Sequence, residues 1–173
     1  IDVFDINEIS MAAYAMADTQ IAVFGRPLSI QAGVRYVDVD TDLTFTDRLT
    51  GTVTSDSQST SRLLPSVTVR YDLTDRLRAR FNYGETLRRP SFPDLNPNFN
   101  LTGDLTGIGR GSGSAGNPNL RPTIAKNYDF ALEWYFAPGS ALYGTLFRRE
   151  IDGLVVTLTS VLTIPGSGLN TNV

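Results

Sequence analysis

The sequence predicts an all-β protein: antiparallel, up-and-down strands of a membrane β-barrel, here a partial barrel opened into a curved sheet of six to seven strands. Three observations carry this. Several segments alternate apolar and polar residues with period two, which is the strand signal. One face of these segments bears large apolar groups and the other bears charge, arginine above all. The connections alternate between short and long, as in outer-membrane barrels with short periplasmic turns and longer extracellular loops. Alternation alone fits a soluble sheet equally well, but a connection as long as residues 85–123 is uncommon in a compact soluble domain.

Residues 8–17 are ambiguous, because their Ala and Met content favours a helix by propensity while their neighbours argue for a strand. Ile30, Ala32, Val34 and Tyr36 then alternate with Ser29, Gln31, Gly33 and Arg35. The pattern turns polar through Asp38, Asp40 and Asp42, rises at Leu43 and Phe45, and reaches a tip at residues 47–51. Residues 38–62 therefore read as a long polar connection. Val67, Val69 and Tyr71, a short polar link at residues 72–75, and Leu77, Ala79, Phe81 and Tyr83 form a hairpin pattern. Tyr128, Phe130, Leu132, Trp134 and Phe136 begin a second hairpin, turning at Pro138-Gly139 into residues 141–149. Leu154, Val156, Leu158 and Leu162 alternate with Val155, Thr157, Thr159 and Thr163, a further strand pattern. Tyr71, Tyr83, Trp134, Tyr135 and Phe136 gather at strand ends, where an interfacial girdle would lie.

Composition narrows the chemistry. The 173 residues contain neither Cys nor His. Disulfides, thiolate metal sites and His-based nucleophile triads are thereby excluded. Lys126 is the only lysine among 15 basic residues, and the formal net charge of −3 argues against a nucleic-acid partner. No run of 18 apolar residues would make a transmembrane helix. No signal peptide is visible, and a start at Ile1 suggests a mature or truncated segment.

The most distinctive stretch is the long connection. It carries Leu87-Arg88-Arg89-Pro90, Leu95-Asn96-Pro97 and Gly116-Asn117-Pro118-Asn119-Leu120-Arg121-Pro122. Upstream lie Ala32-Gly33-Val34-Arg35-Tyr36 and Leu64-Pro65-Ser66-Val67-Thr68-Val69-Arg70-Tyr71. Downstream come Tyr128-Asp129 and Glu133-Trp134-Tyr135-Phe136. This spaced set resembles the C-terminal barrel half of TonB-dependent outer-membrane receptors, most closely the group common in Caulobacter- and Xanthomonas-like bacteria. The resemblance covers residues 8–152. It implies a Gram-negative outer-membrane receptor that captures a scarce solute (siderophore, vitamin or oligosaccharide) and imports it with energy from the TonB complex. It also implies outer-membrane lipid and a plug domain as partners, with no cofactor. The stretch that carries the resemblance matches neither the plug nor the TonB-contacting segment, and a family barrel has about 22 strands, so residues 1–173 are expected to be an internal barrel fragment. Two other readings stay open: a complete eight-stranded barrel with a structural or adhesive role, and a secreted carbohydrate-binding sandwich with Trp134 in its core.

Candidate site residues fall in two groups. Arg70, Arg76, Arg78 and Arg80 share a polar face that would point into the lumen. They suit contact with a plug or an anionic solute, or pairing with lumen acids such as Asp129 and Glu133; pairing is favoured. Arg88, Arg89 and Phe92 open the long connection and suit solute capture or anchoring of the loop. Arg89-Pro90 belongs to the shared family pattern, which favours the anchor there. Phe99 and Arg110 lie in residues 99–114, where the chain has its own sequence, and complete the ligand-binding candidates. Residues 107–111 resemble a phosphate loop only superficially, without strand before or helix after. Asp38, Asp40 and Asp42 suit a hard cation or, more often, a solvated strand extension; no metal ligand set and no catalytic pair is assigned.

Overall fold

A computed structural model describes residues 4–47, 51–98, 100–103 and 111–161. Its elements are β1 (Phe4–Val23), β2 (Arg26–Thr46), β3 (Val53–Asp72), β4 (Leu77–Arg88), α1 (Phe92–Leu95), β5 (Asn100–Thr102), β6 (Ser112–Ser114), β7 (Thr123–Ala137) and β8 (Ser140–Asp152). Six strands form one antiparallel sheet in the order β1-β2-β3-β4-β7-β8, and β5 with β6 forms a small separate ribbon. Every strand of the large sheet pairs with its sequence neighbour, apart from the excursion between β4 and β7. Among the described residues no pairing joins β1 to β8, so the sheet is open and these two are its edges.

Tertiary context overrides helix propensity at residues 8–17, which lie within β1 and pair along β2 from Glu8↔Thr41 to Ala17↔Ala32. The β1–β2 turn has Phe24 at φ 50 and Gly25 at φ 73. Two successive left-handed residues are what a two-residue hairpin needs to match strand twist. The expected polar connection at residues 38–62 is mostly strand instead. β2 and β3 continue through it, pairing Asp38↔Ser61, Asp40↔Ser59 and Asp42↔Ser57. The three aspartates are thus on a polar strand extension, and among the described residues no acidic cluster has metal-holding geometry. The expected strand after Gly153 does not form over residues 154–161; Leu162 and Thr163 lie outside the described residues.

Directly paired residues share a face, so the register sorts the side chains. One face collects Leu28, Ile30, Ala32, Val34 and Tyr36 on β2, and Leu63, Pro65, Val67, Val69 and Tyr71 on β3. It continues through Leu77, Ala79, Phe81 and Tyr83 on β4 and Tyr128, Phe130, Leu132 and Trp134 on β7. Trp134 and Phe136 have ring centroids 5.5 Å apart, and Tyr83 and Tyr128 5.0 Å. From Leu28 to Tyr36 the band runs about 27 Å along the strand, or roughly 21 Å upright at a tilt near 40°. Above it the same face turns polar at Asp38, Ser61, Glu85, Lys126 and Arg148. That boundary falls progressively from β2 to β8 relative to the paired rows, the stagger that tilted strands produce. Trp134 is 49% exposed and no second sheet covers it among the described residues, so the sandwich reading is not realised there.

The opposite face is polar near the short turns. Near the long connections it turns apolar and becomes the small core. Val37, Val39, Thr41 and Leu43 are buried there, together with Leu95 and Asn98 of the β4–β7 connection. Leu43 is 1% exposed and is flanked by Ile6 on β1 and Asp56 on β3. Leu43→Ala should cost about 2–5 kcal/mol, read as a lowered denaturant midpoint with an unchanged slope.

Candidate functional site

The sheet has two rims. Phe24 and Gly25, residues 73–76 and residues 138–139 turn at one; residues 47–52 and 89–122 connect at the other. The polar face offers a cluster near the first rim and a loop-covered surface near the second.

At the first rim, alternation puts Arg78 and Arg80 of β4 beside β3 and β7. Arg78 Nε donates to Asp72 Oδ1 at 2.6 Å, and Arg80 lies 3.3 Å from Glu133 Oε1. The Tyr135 hydroxyl donates to Glu133 at 2.9 Å, and the Arg78 guanidinium sits 5.9 Å from the Tyr135 ring centroid. Tyr135 therefore belongs to the polar face rather than to the aromatic girdle. The register shift between Trp134 and Ala137 marks its place, and its N–H donates to the Arg76 carbonyl at 2.7 Å. Arg70 is opposite Arg80 and reaches Ser29 Oγ at 3.4 Å. Asp129 faces Asn82 rather than an arginine. Arg76 lies in the turn before β4 and is exposed, so it is not part of the strand's arginine row. The sequence foresaw Glu133 as an acidic partner but not Asp72, which it placed in a turn.

At the second rim β3 and β4 part. Their pairing ends at Ser66↔Gly84, although β3 continues to Val53 and β4 to Arg88. The β4–β7 connection folds into this gap across the polar face. Leu87, Pro90, Leu95, Leu120 and Pro122 surround a pocket with Val39, Thr41, Gln58 and Thr60. Arg89 crosses β3 and β2 to pair with Glu8 on β1. Arg89 is thus engaged as an anchor, while Arg88 is exposed. Phe92, at the start of α1, is 47% exposed. Phe99 and Arg110 lie outside the described residues.

The shared motifs meet inside this connection. Gly116 N–H donates to the Asn96 carbonyl and Asn117 N–H to the Asp94 carbonyl, both at 2.7 Å. The two ends of the connection are thereby clamped backbone to backbone. A Cβ at Gly116 would collide with the Asp94 carbonyl and come within 2.8 Å of Asn96 O, so only glycine allows the approach. Ser91 Oγ donates to Asp94 Oδ2 at 2.6 Å, fixing the turn of α1 that presents those carbonyls. No signal in alternation or composition could reveal this clamp, since it rests on main-chain atoms.

The description TonB dependent receptor-like, beta-barrel belongs to a family model that matches residues 2–173. No curated protein and no solved structure matches the chain.

Two outcomes test the two ends of the site. Gly116→Ala should destabilise the clamp by about 1–3 kcal/mol and raise protease cleavage within residues 89–122. Asp72→Asn should lower stability at pH 7. The variant leaves Arg78 without its carboxylate partner, and the loss should be read as a lower urea midpoint with an unchanged slope.

Proposed function

Because the chain belongs to the TonB-dependent receptor-like β-barrel family, a family of outer-membrane transport receptors, we propose that it forms part of the wall and mouth of a receptor that captures a scarce solute and imports it by energy-coupled transport. The family match over residues 2–173 carries this reading. The apolar band with aromatics at both margins agrees with it, since lipid demands such a face and water does not.

In this reading the apolar face meets outer-membrane lipid, and the polar face lines a lumen that holds a plug domain. Arg70, Arg78, Arg80 and Glu133 form part of the lumen wall, with Asp72 and Tyr135 completing the ion-paired cluster. Paired charges let this wall carry guanidinium groups near a low-dielectric layer at small net cost. The β4–β7 connection faces outward and supplies the capture surface, with Arg88 and Phe92 as its candidates and Arg89 as anchor. Import proceeds through plug movement driven by the TonB complex, without covalent chemistry. The family is a transport family rather than an enzymatic one.

The test is uptake by cells that express the receptor carrying this chain. Solute accumulation should require the receptor and an energised inner membrane. Uptake that persists after the proton gradient is collapsed would overturn the reading. Orientation has its own measurement. Phe81, on the apolar face opposite Val69 and Phe130, should tolerate Arg poorly. Phe81→Arg should cost about 2–4 kcal/mol near the bilayer midplane, measured by reversible unfolding in lipid vesicles.

A further inference from the structure

Beside the β4–β7 connection an open cavity of about 990 Å³ lies over the outer part of β4, β7 and β8. Its floor is the polar face, where Thr86 pairs with Ala125 and Arg88 with Thr123, and Asn127 pairs with Arg149. Ser91 and Asp94 of the connection form one side, and residues 154–157 form the other.

The charge in this cavity is lopsided. Arg89 is neutralised by Glu8, and Asp94 accepts from Ser91. Arg148, next to Arg149 but on the apolar face, is paired with Glu150 at 2.6 Å. Arg88 and Arg149 are exposed and make no ion pair among the described residues. Two guanidiniums without an ion pair thus line one cavity against the single carboxylate of Asp94, which leaves an excess of positive charge.

We propose that this cavity is a subsite for an oligoanionic solute, with Arg88 and Arg149 as its two ligating cations. Guanidinium forks suit carboxylate and other oxyanions because they donate two parallel hydrogen bonds. The spacing selects for more than one anionic group. Thr123 and Asn127 are four residues apart on β7, which separates the two arginine rows by about 13 Å along the strand, with roughly 10 Å more between β4 and β8. A small monoanion engages one arginine; an acidic oligosaccharide or an extended polycarboxylate engages both. The subsite rests on the importer reading and adds to it the class of solute.

The experiment uses the intact receptor in detergent, with calorimetric titration of trigalacturonate, citrate, inorganic phosphate and neutral maltotriose. Trigalacturonate should bind more tightly than compact citrate or phosphate and far more tightly than maltotriose, and its affinity should fall as salt rises. Arg88→Gln and Arg149→Gln should each weaken it about tenfold, while Arg148→Gln on the other face should leave it unchanged. Phosphate binding alone would reduce the subsite to a single-anion contact and overturn the oligoanion assignment. Failure of all the anions to bind, or binding indifferent to both substitutions, would overturn the site itself. Energy-dependent uptake of a neutral solute, unaffected by either substitution, would overturn the subsite while leaving the importer reading intact.

Discussion

Antiparallel register, with its side-chain period of two, decides where every other group in this molecule can go. Slip β4 by one residue and Phe81 leaves Val69 and Phe130, while Arg80 moves onto the apolar face. The ion pair of Arg80 with Glu133 and that of Arg78 with Asp72 both cross strand boundaries. They form only in the observed register, and they penalise the alternatives by stranding charge. The apolar band and the polar cluster are therefore one device seen from two sides. Hydrogen-bonded strands are also the only extended backbone that lipid tolerates, so the same pairing that sorts side chains lets the sheet sit in a membrane.

Where β4 leaves β3, the molecule changes its means of support. Below Ser66↔Gly84 the strands hold one another through backbone ladders. Above it, the β1–β3 extension is held to the rest by apolar side chains, by the Arg89–Glu8 pair and by the β4–β7 connection folded against it. This explains why the same face is polar at one end and apolar at the other. Val39 would be unfavourable in a wet lumen, but here Leu95, Leu120 and Pro122 of the connection lie beside it.

The strands, their faces and the two hairpins around residues 72–75 and 138–139 were legible because period two is written directly into residues such as Leu77, Ala79 and Phe81. The extension of β2 and β3 was not, because Asp38, Asp40 and Asp42 interrupt the apolar face of β2, and β3 opposite them, with Ser57, Ser59 and Ser61 on one face and Gln58 and Thr60 on the other, is hydrophilic on both sides and resembles a loop. The residues after Gly153 misled in the opposite direction. Leu154, Val156 and Leu158 alternate, yet they lie in irregular chain beside the β4–β7 connection. Alternation reports compatibility with a sheet, not the presence of a partner strand. At the site, Arg80 and Glu133 could be matched from sequence because both lie on regular strands. Arg149 could not be matched with Arg88, because their cavity exists only once the long connection has folded back.

The Gly116 clamp has a consequence for how such a mouth changes over generations. It ties Asp94 and Asn96 to Gly116 and Asn117 by main-chain atoms alone, so the chain between these points begins and ends at fixed positions whatever its length. Lengthening a loop between pinned ends adds only slowly to its closure entropy. Beyond the buried Asn98, a change in the length of the chain between these pinned ends therefore costs the rest of the connection little. Under the importer reading proposed above, insertions and replacements there alter what the mouth offers to a solute, while the clamped path from β4 to β7 keeps its ends. Recognition can diversify at one address without retuning the barrel that carries it.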